Sequence, residues 1–298
     1  MRKIQSIILS ATLALLLTAC SEQQAPWRDM PVTGSAVYYW RTSLQLDSTE
    51  RAFIQKHNIR RLYCRYFDVV VGAGDEPQPN ATITFGDSLL LPDSVELVPT
   101  VFITENCLRA NEADSMPRRI VDRILQMNET NDIGGVSEIQ IDCDYTERSR
   151  DKFYNLLSHM RTLCQEHGLA LSATIRLHQL AMPAPPVDYG VLMLYNTGAP
   201  ENFEKRNPIL DVHDVAPYVK HLANYDLPLG AAYPVFLWRR VVHGVTLDHE
   251  ADRQTIADVK KAVEDRRPDL SQLILTYHLS RQNINRYSEE DYETIYKH

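Results

Sequence analysis

The chain is short of cysteine and, beyond its first residues, of long apolar runs. It has five cysteines among 298 residues, and their spacing fits neither a small disulfide-stapled domain nor a set of zinc ligands. After residue 17 no apolar stretch is long enough to cross a bilayer. Acidic residues outnumber basic ones by 39 to 31, giving a formal net charge of −8, which argues against a nucleic-acid partner. We expect no metal site, no other cofactor and no membrane-spanning helix.

The N-terminus has the layout of a secretory signal. Two basic residues precede an apolar run over residues 7–17, and Leu-Thr-Ala-Cys ends at Cys20. This ending resembles the lipobox of bacterial lipoproteins, which implies cleavage before Cys20 and acylation of that residue. We therefore expect a signal peptide over residues 1–19, a tether over residues 20–34, and a protein held in the bacterial cell envelope by its lipid alone. A plain signal peptide with a coincidental cysteine is the alternative.

The most informative stretch of the sequence is residues 134–146. As a β-strand it has one apolar face, and its other face carries Gln140, Asp142 and Asp144. A helical pattern and a second alternating strand follow, and this strand has Arg176 on its polar face. Strand, helix and strand at this spacing predict a parallel βαβ unit. Burying such charges without partners would cost several kcal/mol, so the polar faces suit a barrel whose interior opens into a site.

The rest of the chain repeats the same rhythm of strands and helices. The patterns predict eight strands, over residues 36–40, 61–68, 96–103, 134–146, 169–178, 188–195, 229–235 and 273–277. Eight strands alternating with helices predict an α/β fold, a (β/α)8 TIM barrel that forms a single domain over residues 35–298. A doubly wound open sheet is the alternative architecture.

The functional face of such a barrel lies at the C-terminal ends of its strands. The sequence places carboxylates, aromatic rings and an arginine there, and this combination is typical of carbohydrate sites, because rings stack on sugars and carboxylates bind hydroxyls or transfer protons. The candidates are Trp40, Asp68, Glu105, Asp142, Asp144, Arg176, His178, Tyr195, Asn196, Trp238, Tyr277 and His278.

Most of these candidates also have a structural interpretation. Asp68 and Glu105 can be solvated loop acids, the aromatic residues can pack the rim, and the histidines can be structural donors. Two successive inward carboxylates on a central strand are harder to explain by packing. Asp142 and Asp144 are therefore the leading candidates.

The same strand resembles a motif of the family-18 glycoside hydrolases, which are chitinase-like enzymes. The sequence Gln140-Ile-Asp142-Cys-Asp144 is similar to the end of D-G-x-D-x-D-x-E, with Asp142 on the last aspartate and Asp144 on the acid/base glutamate. Three features depart from the motif: Ser137 and Glu138 replace D-G, Gln140 replaces an aspartate, and Asp144 is one methylene shorter than glutamate.

Two further segments resemble the same family. Met193-Leu-Tyr195-Asn196 is similar to its M-x-Y-D motif on strand 6, with asparagine in place of aspartate, and residues 229–233 are loosely similar to its G-x-P-x-Y segment. The mature chain is also similar to a group of bacterial chitinase-like lipoproteins classed as a domain of unknown function. The resemblance implies a TIM barrel and a carbohydrate substrate or ligand.

The resemblance leaves two functional classes open. In a glycoside hydrolase, Asp144 would protonate the glycosidic oxygen beside Asp142, and Tyr195 would orient the substrate's own N-acetyl oxygen as the nucleophile. In a direct two-carboxylate mechanism, Glu105 is the first candidate partner of Asp144. Substrate contacts would come from Arg176, His178, Glu105, Asn196, Trp40, Trp238 and Tyr277.

The second class is an inactive barrel that binds a glycan or supports a partner. The short side chain of Asp144 favours it, because moving a catalytic proton by about 1 Å can cost on the order of 10²-fold in rate. The enzyme is favoured because an inactive site has no reason to keep Asp142, Asp144, Arg176 and Tyr195 together on inward faces.

Overall fold

A closed parallel barrel surrounded by helices forms the core of the protein. The computed structural model describes residues 30–86, 91–111, 116–198, 206–242 and 245–298. The eight barrel strands are β1 (Gly34–Tyr39), β2 (Ile59–Val71), β3 (Glu96–Ile103), β4 (Glu138–Asp142), β5 (Ala170–Ile175), β6 (Tyr189–Met193), β7 (Leu229–Pro234) and β8 (Leu273–Tyr277). Each of them pairs in parallel with the next.

The barrel closes at β1. This strand pairs with β8, where Gly34 lies opposite Leu273, and with β2, where Tyr38 lies opposite Tyr63. Both edges of the sheet therefore meet, which confirms the predicted (β/α)8 barrel and excludes the open sheet. The approach of β7 to β8 requires a glycine at Gly230, because a Cβ there would lie 2.9 Å from the carbonyl oxygen of Leu273.

All eight predicted strands are present, and the two that differ most in length from the prediction are β4 and β2. The strand β4 ends at Asp142, because its pairing with β3 ends where Phe102 lies opposite Asp142. Asp144 therefore lies in the loop that follows β4. The strand β2 runs beyond Asp68 to Val71, since its last residues pair antiparallel with the short strand Pro77–Asn80.

The helices form the outer layer of the described structure. They are α1 (Ser48–Lys56), α2 (Glu105–Ala110), α3 (Met116–Thr130), α4 (Arg150–Glu166), α5 (Val212–Leu222), α6 (Arg253–Arg266), α7 (Arg281–Ile284) and α8 (Glu289–Ile295). The amphipathic pattern of α4 buries Phe153, Leu156 and Met160, each of which is 0% exposed. The carboxylate of Asp47 caps α1 by accepting hydrogen bonds from the backbone N–H groups of Thr49 and Glu50.

A β-hairpin after β7 was not predicted from the sequence. Its strands are Leu237–Val242 and Val245–Glu250, which pair antiparallel. Trp238 lies on the first of them, next to His249 on the second. A further small sheet pairs Ser43–Leu44 with Thr84–Phe85.

The floor of the barrel, at the N-terminal ends of the strands, is polar and fully paired around Glu138. This side chain is 0% exposed and accepts hydrogen bonds from Arg61 Nη1 at 2.6 Å, from Ser172 Oγ and from the Tyr189 hydroxyl. A second contact joins Arg61 to Glu96 at 2.7 Å. The inward faces of β2, β4, β5 and β6 therefore meet in one hydrogen-bonded cluster, which we call the floor cluster: Arg61, Glu96, Glu138, Ser172 and Tyr189.

The predicted signal peptide and Cys20 lie outside the described residues, as does most of the predicted tether. Its last residues are described from Met30, and β1 begins at Gly34. Within the described part, no helix combines the length and the apolar character that a membrane crossing needs.

Candidate functional site

Two neighbouring strands bring the leading carboxylates and an arginine together at the mouth of the barrel. Asp142 is the last residue of β4, and Arg176 directly follows β5. The Nη2 atom of Arg176 lies 3.8 Å from Asp142 Oδ1, and its Nε contacts Asp144 Oδ1. Thr174 donates a hydrogen bond of 2.5 Å to Asp142 Oδ1. The structure thus brings together Asp142, Asp144 and Arg176, which the strand parity had placed on inward faces.

The two carboxylates differ in their exposure to solvent. The Asp142 side chain is 4% exposed, whereas that of Asp144 is 53% exposed. Burial raises the pKa of Asp142, and the nearby charge of Asp144 adds to the rise, while Arg176 and Thr174 oppose it. Asp142 is therefore a buried supporting group, and Asp144 is the carboxylate that a ligand can reach.

Arg176 holds this pair of carboxylates together. Burial alone would lower the pKa of Arg176, but the charges of Asp142 and Asp144 outweigh it and raise that pKa. The guanidinium stays charged, and it offsets the repulsion between the buried carboxylate of Asp142 and the exposed carboxylate of Asp144.

A cavity of about 310 Å³ opens beside Asp144. It brings together most of the predicted site, since Asp144, Arg176, Leu177, His178, Met193, Tyr195, Asn196, Thr197 and Tyr218 line it. The hydroxyl of Tyr195 is buried and has no hydrogen-bond partner among the described residues. Burial raises the pKa of this hydroxyl, so it stays protonated and can donate a hydrogen bond to a ligand.

Aromatic rings form one wall of the mouth around Tyr277. Its ring stacks on Tyr195 with a centroid distance of 4.7 Å and lies 5.8 Å from Trp40 and 5.6 Å from Phe236. The ring of Phe236 in turn lies 6.3 Å from Trp238. The predicted aromatic residues are therefore one connected group, in which Tyr277 links Trp40 to Tyr195.

His178 and Asn196 lie at the exposed edge of the cavity. The Nε2 atom of His178 is 3.2 Å from the carbonyl oxygen of Tyr145, in the loop that carries Asp144. Asn196 has a positive φ of 53°, which turns the chain at the end of β6.

Glu105 lies outside the lining of this cavity. Its carboxylate accepts hydrogen bonds from Thr146 Oγ1 at 2.6 Å and Ser149 Oγ at 2.8 Å, and these bonds lower its pKa. The position of Glu105 thus ties α2 to the loop before α4. Its role as a second catalytic carboxylate stays a prediction.

The structure corrects the interpretation of Asp68 as a solvated loop acid. Asp68 is 7% exposed, lies within β2, and accepts a hydrogen bond of 2.7 Å from Arg65 Nε. The physical reason is a bulge between Arg65 and Phe67. In a regular strand, residues three apart point to opposite faces, and the bulge restores them to the same one.

Sequence reasoning missed the residue that holds the Asp144 loop in place. Gln179 is 0% exposed, and its amide nitrogen donates to the carbonyl oxygens of Cys143 and Tyr145, at 3.3 and 3.1 Å. Its Oε1 accepts a hydrogen bond of 2.8 Å from the backbone N–H of Arg176. No sequence pattern marks this residue, because its partners come from two different loops.

The described residues contain no group of three or more histidine, cysteine, aspartate or glutamate side chains that could hold a metal ion. The four described cysteines are buried and free. The described side chains at the mouth are carboxylates, a guanidinium, hydroxyls and aromatic rings.

Comparison with known proteins places this barrel among the chitinase-like folds. No protein-family profile and no curated protein sequence matches the chain. A chitinase from Chromobacterium violaceum matches with a TM-score of 0.57 and 11% identity over 89% of this chain and 98% of that chain. The Group IV chitinase of Ostrinia furnacalis in complex with allosamidin matches with a TM-score of 0.55 and 12% identity, over 89% and 98%.

A spore cortex-lytic enzyme, SleL of Bacillus megaterium, is also similar, with a TM-score of 0.53 and 11% identity over 90% of this chain and 76% of that chain. At such low identity the likeness establishes the fold alone. The chain has a chitinase-like TIM barrel, as its strand-4 and strand-6 motifs predicted.

Proposed function

We propose that the protein is a glycoside hydrolase-like lipoprotein that binds a carbohydrate in the Asp144 cavity and cleaves it with the two carboxylates at the C-terminal end of β4, Asp142 and Asp144. One observation carries this proposal. An exposed carboxylate, Asp144, stands directly above a buried one, Asp142, at the mouth of a chitinase-like barrel. Two of the structurally similar proteins are chitinases and a third is a cortex-lytic enzyme, which supports a glycan as the ligand.

The roles follow from burial and contacts. Asp144 is the proton donor to the glycosidic oxygen, since it is the carboxylate within reach of a ligand. Asp142 lies beneath it and keeps the local charge balanced through Arg176. Tyr195, whose buried hydroxyl has no described partner, lines the same cavity and orients the reacting sugar, while the ring of Tyr277 packs against its ring.

One contact limits this mechanism. Asp144 forms an ion pair with Arg176, and an ionised carboxylate accepts hydrogen bonds but has no proton to donate. Proton donation therefore requires that a bound sugar displace Arg176 from Asp144 and that the freed carboxylate take up a proton from solvent before it donates one.

The same ion pair favours a second candidate function, a barrel that binds a glycan without cleaving it. In that case Asp144 and Arg176 present an acceptor and donors to sugar hydroxyls, and no proton is transferred. The shorter side chain of aspartate, compared with the family's glutamate, points in the same direction.

Hydrolysis of a panel of aryl glycosides and polysaccharides by the purified protein separates the two functions. Binding to the same glycans is measured in parallel by calorimetry. Release of reducing sugar from a glycan that binds supports the hydrolase, and saturable binding without product supports the binding protein. If no glycan binds or is cleaved, the carbohydrate function is wrong.

We also propose that Cys20 is acylated and anchors the protein in the bacterial cell envelope. The Leu-Thr-Ala-Cys sequence supports this. Replacement of Cys20 by serine should move the protein from the membrane fraction to the soluble fraction and abolish labelling by a fatty-acid probe, because the thiol that carries the lipid is gone. Unchanged fractionation and labelling would rule out the anchor.

A further inference from the structure

A second cavity lies at the mouth, on the side of the barrel formed by β1 and β2. Its volume is about 520 Å³, and its lining includes Trp40, Arg41, Gln45 and Arg65. The lining contains two guanidinium groups and no carboxylate. We call it the Trp40 cavity.

The guanidinium groups of this cavity are held from behind by buried acids. Arg65 donates through Nε to Asp68 at 2.7 Å, and its Nη2 contacts the other oxygen of the same carboxylate. This bidentate pair leaves Nη1 outside it. Arg41 donates through Nη2 to Glu50 at 2.6 Å, and the Glu50 side chain is 1% exposed.

Aromatic rings position both guanidinium groups. The Arg65 guanidinium lies 5.6 Å from the ring centroid of Trp40, and the Arg41 guanidinium lies 4.3 Å from that of Tyr39. The acids are buried and the cations line the open cavity, so a ligand meets hydrogen-bond donors of positive charge beside an aromatic face.

The ring of Tyr277 lies between Trp40, which lines the Trp40 cavity, and Tyr195, which lines the Asp144 cavity. The ring of Tyr277 contacts Trp40 at 5.8 Å on one side and stacks on Tyr195 at 4.7 Å on the other. The lining residues Trp40 and Tyr195 are therefore one aromatic ring apart, a separation that a short oligosaccharide can span.

We infer that the Trp40 cavity binds the carboxylate of an acidic sugar, so that the substrate or ligand of the protein is an acidic oligosaccharide and not a neutral one. Arg65 and Arg41 contact the carboxylate, and Trp40 stacks on the sugar ring that carries it. This inference rests on the proposed carbohydrate function and adds the class of the sugar.

The test compares oligosaccharides of a hexuronic acid with their methyl esters, in which a methyl group replaces the charge of each carboxylate. Calorimetry on the intact protein should show the acid binding about tenfold or more tightly than the ester, because only the carboxylate forms an ion pair with the guanidinium groups. The preference should shrink at high ionic strength.

Matched variants assign the preference to the cavity. Arg65→Gln should weaken binding of the acid about tenfold and leave binding of the ester within about twofold, and Arg41→Gln should act in the same direction. The exposed Arg60 on β2 provides the control, since Arg60→Gln should change neither affinity. Because Arg65→Gln leaves Asp68 buried without its cation, the double variant Arg65→Gln/Asp68→Asn is measured beside it, with thermal unfolding as the check on folding.

The outcomes separate this inference from the proposed function. Tighter binding of the acid that is lost in the Arg65 variants supports the inference, whether or not hydrolysis is seen. Equal affinity for acid and ester, or a preference that survives in the Arg65 and Arg41 variants, overturns the inference while the carbohydrate function stands. Absence of binding by acid, ester and the neutral glycans of the panel overturns both.

Discussion

The floor and the mouth of this barrel are built from the same strands, but they differ in whether their polar groups are hydrogen-bonded within the protein. At the floor, Glu138 on β4 has three donors around it, and Arg61 bridges it to Glu96. At the mouth, two residues beyond the end of the same strand, Asp144 is exposed, and the buried hydroxyl of Tyr195 has no partner among the described residues.

This difference separates residues that stabilise the fold from residues that are available to a ligand. Buried polar groups are normally satisfied within the protein, because an unmade hydrogen bond costs about 1–3 kcal/mol. The floor follows that rule. The mouth does not, and a tolerated cost of this kind is typical of functional sites.

The largest expected difference is in turnover, between a substitution of Asp144 at the mouth and one of Glu138 at the floor. Asp144→Asn should lower turnover of a cleaved glycan by about 10² to 10⁴-fold while affinity changes little, because it removes the transferable proton. Glu138→Gln at the floor should leave turnover near the wild-type value. Steady-state kinetics on both variants tests this. Undiminished hydrolysis by Asp144→Asn would end its assignment as the proton donor, and the search would move to Glu105.

The loss of stability should be larger for a substitution of Glu138 than for one of Asp144, the reverse of the order expected for turnover. Glu138→Ala leaves Arg61 without its buried partner and should cost about 3–5 kcal/mol in the free energy of unfolding. Asp144→Ala, at an exposed position, should cost within about 0.5 kcal/mol. Chemical denaturation of the two variants measures both values, and similar losses would show that the floor and the mouth do not differ as described.

Two tyrosines at opposite ends of β6 give a finer comparison: Tyr189 is the first residue of the strand, and Tyr195 lies two residues past its last. Tyr189→Phe removes hydrogen bonds to Glu138 and Tyr63 and should cost about 1–3 kcal/mol in stability. Tyr195→Phe removes a buried hydroxyl that has no described partner, so stability should stay within about 0.5 kcal/mol or rise. Glycan affinity or turnover should fall only in Tyr195→Phe, and a large loss of stability in that variant would contradict its role as a free donor.

The last prediction concerns the pH dependence of stability. Burial raises the pKa of Glu138 from its ordinary value of 4.5 to about 7, so between these values the folded protein binds more protons than the unfolded chain. The stabilisation from neutral Glu138 is therefore complete below about pH 4.5 and is lost as the pH rises to about 7. Urea denaturation across this range should show a weaker pH dependence for Glu138→Gln than for the wild type. An unchanged dependence would show that folding does not raise the pKa of Glu138.

The sequence was informative where the signal was periodic. The alternation around Asp142 predicted the strand, its inward face and the meeting with Arg176, because the parity of a strand fixes the direction of each side chain. Asp144 was predicted on the same inward face. It lies in the loop after β4 and contacts Arg176 from there. The eight strand-helix repeats were enough to predict the barrel.

The floor cluster could not be predicted in the same way. In the sequence, Glu138 was only a departure from a family motif. Its partners Arg61, Ser172 and Tyr189 lie on other strands, and only closure of the barrel brings them together. Asp68 was misread because a bulge changed the parity of its strand.

The hairpin after β7 had a readable signal. Its two strands are rich in β-branched and aromatic residues and are separated by two residues, of which Gly244 is one, a spacing typical of β-hairpins. The Trp40 cavity had no such signal, because it depends on how Arg41 and Arg65 pack against rings and buried acids.

The most direct test of the central claim is the structure of the protein with a bound oligosaccharide. The account predicts a sugar ring in the Asp144 cavity, within hydrogen-bond distance of the Tyr195 hydroxyl, with Arg176 displaced from Asp144. A glycan bound elsewhere on the barrel, with Tyr195 untouched and the pair of Asp144 and Arg176 intact, would contradict it.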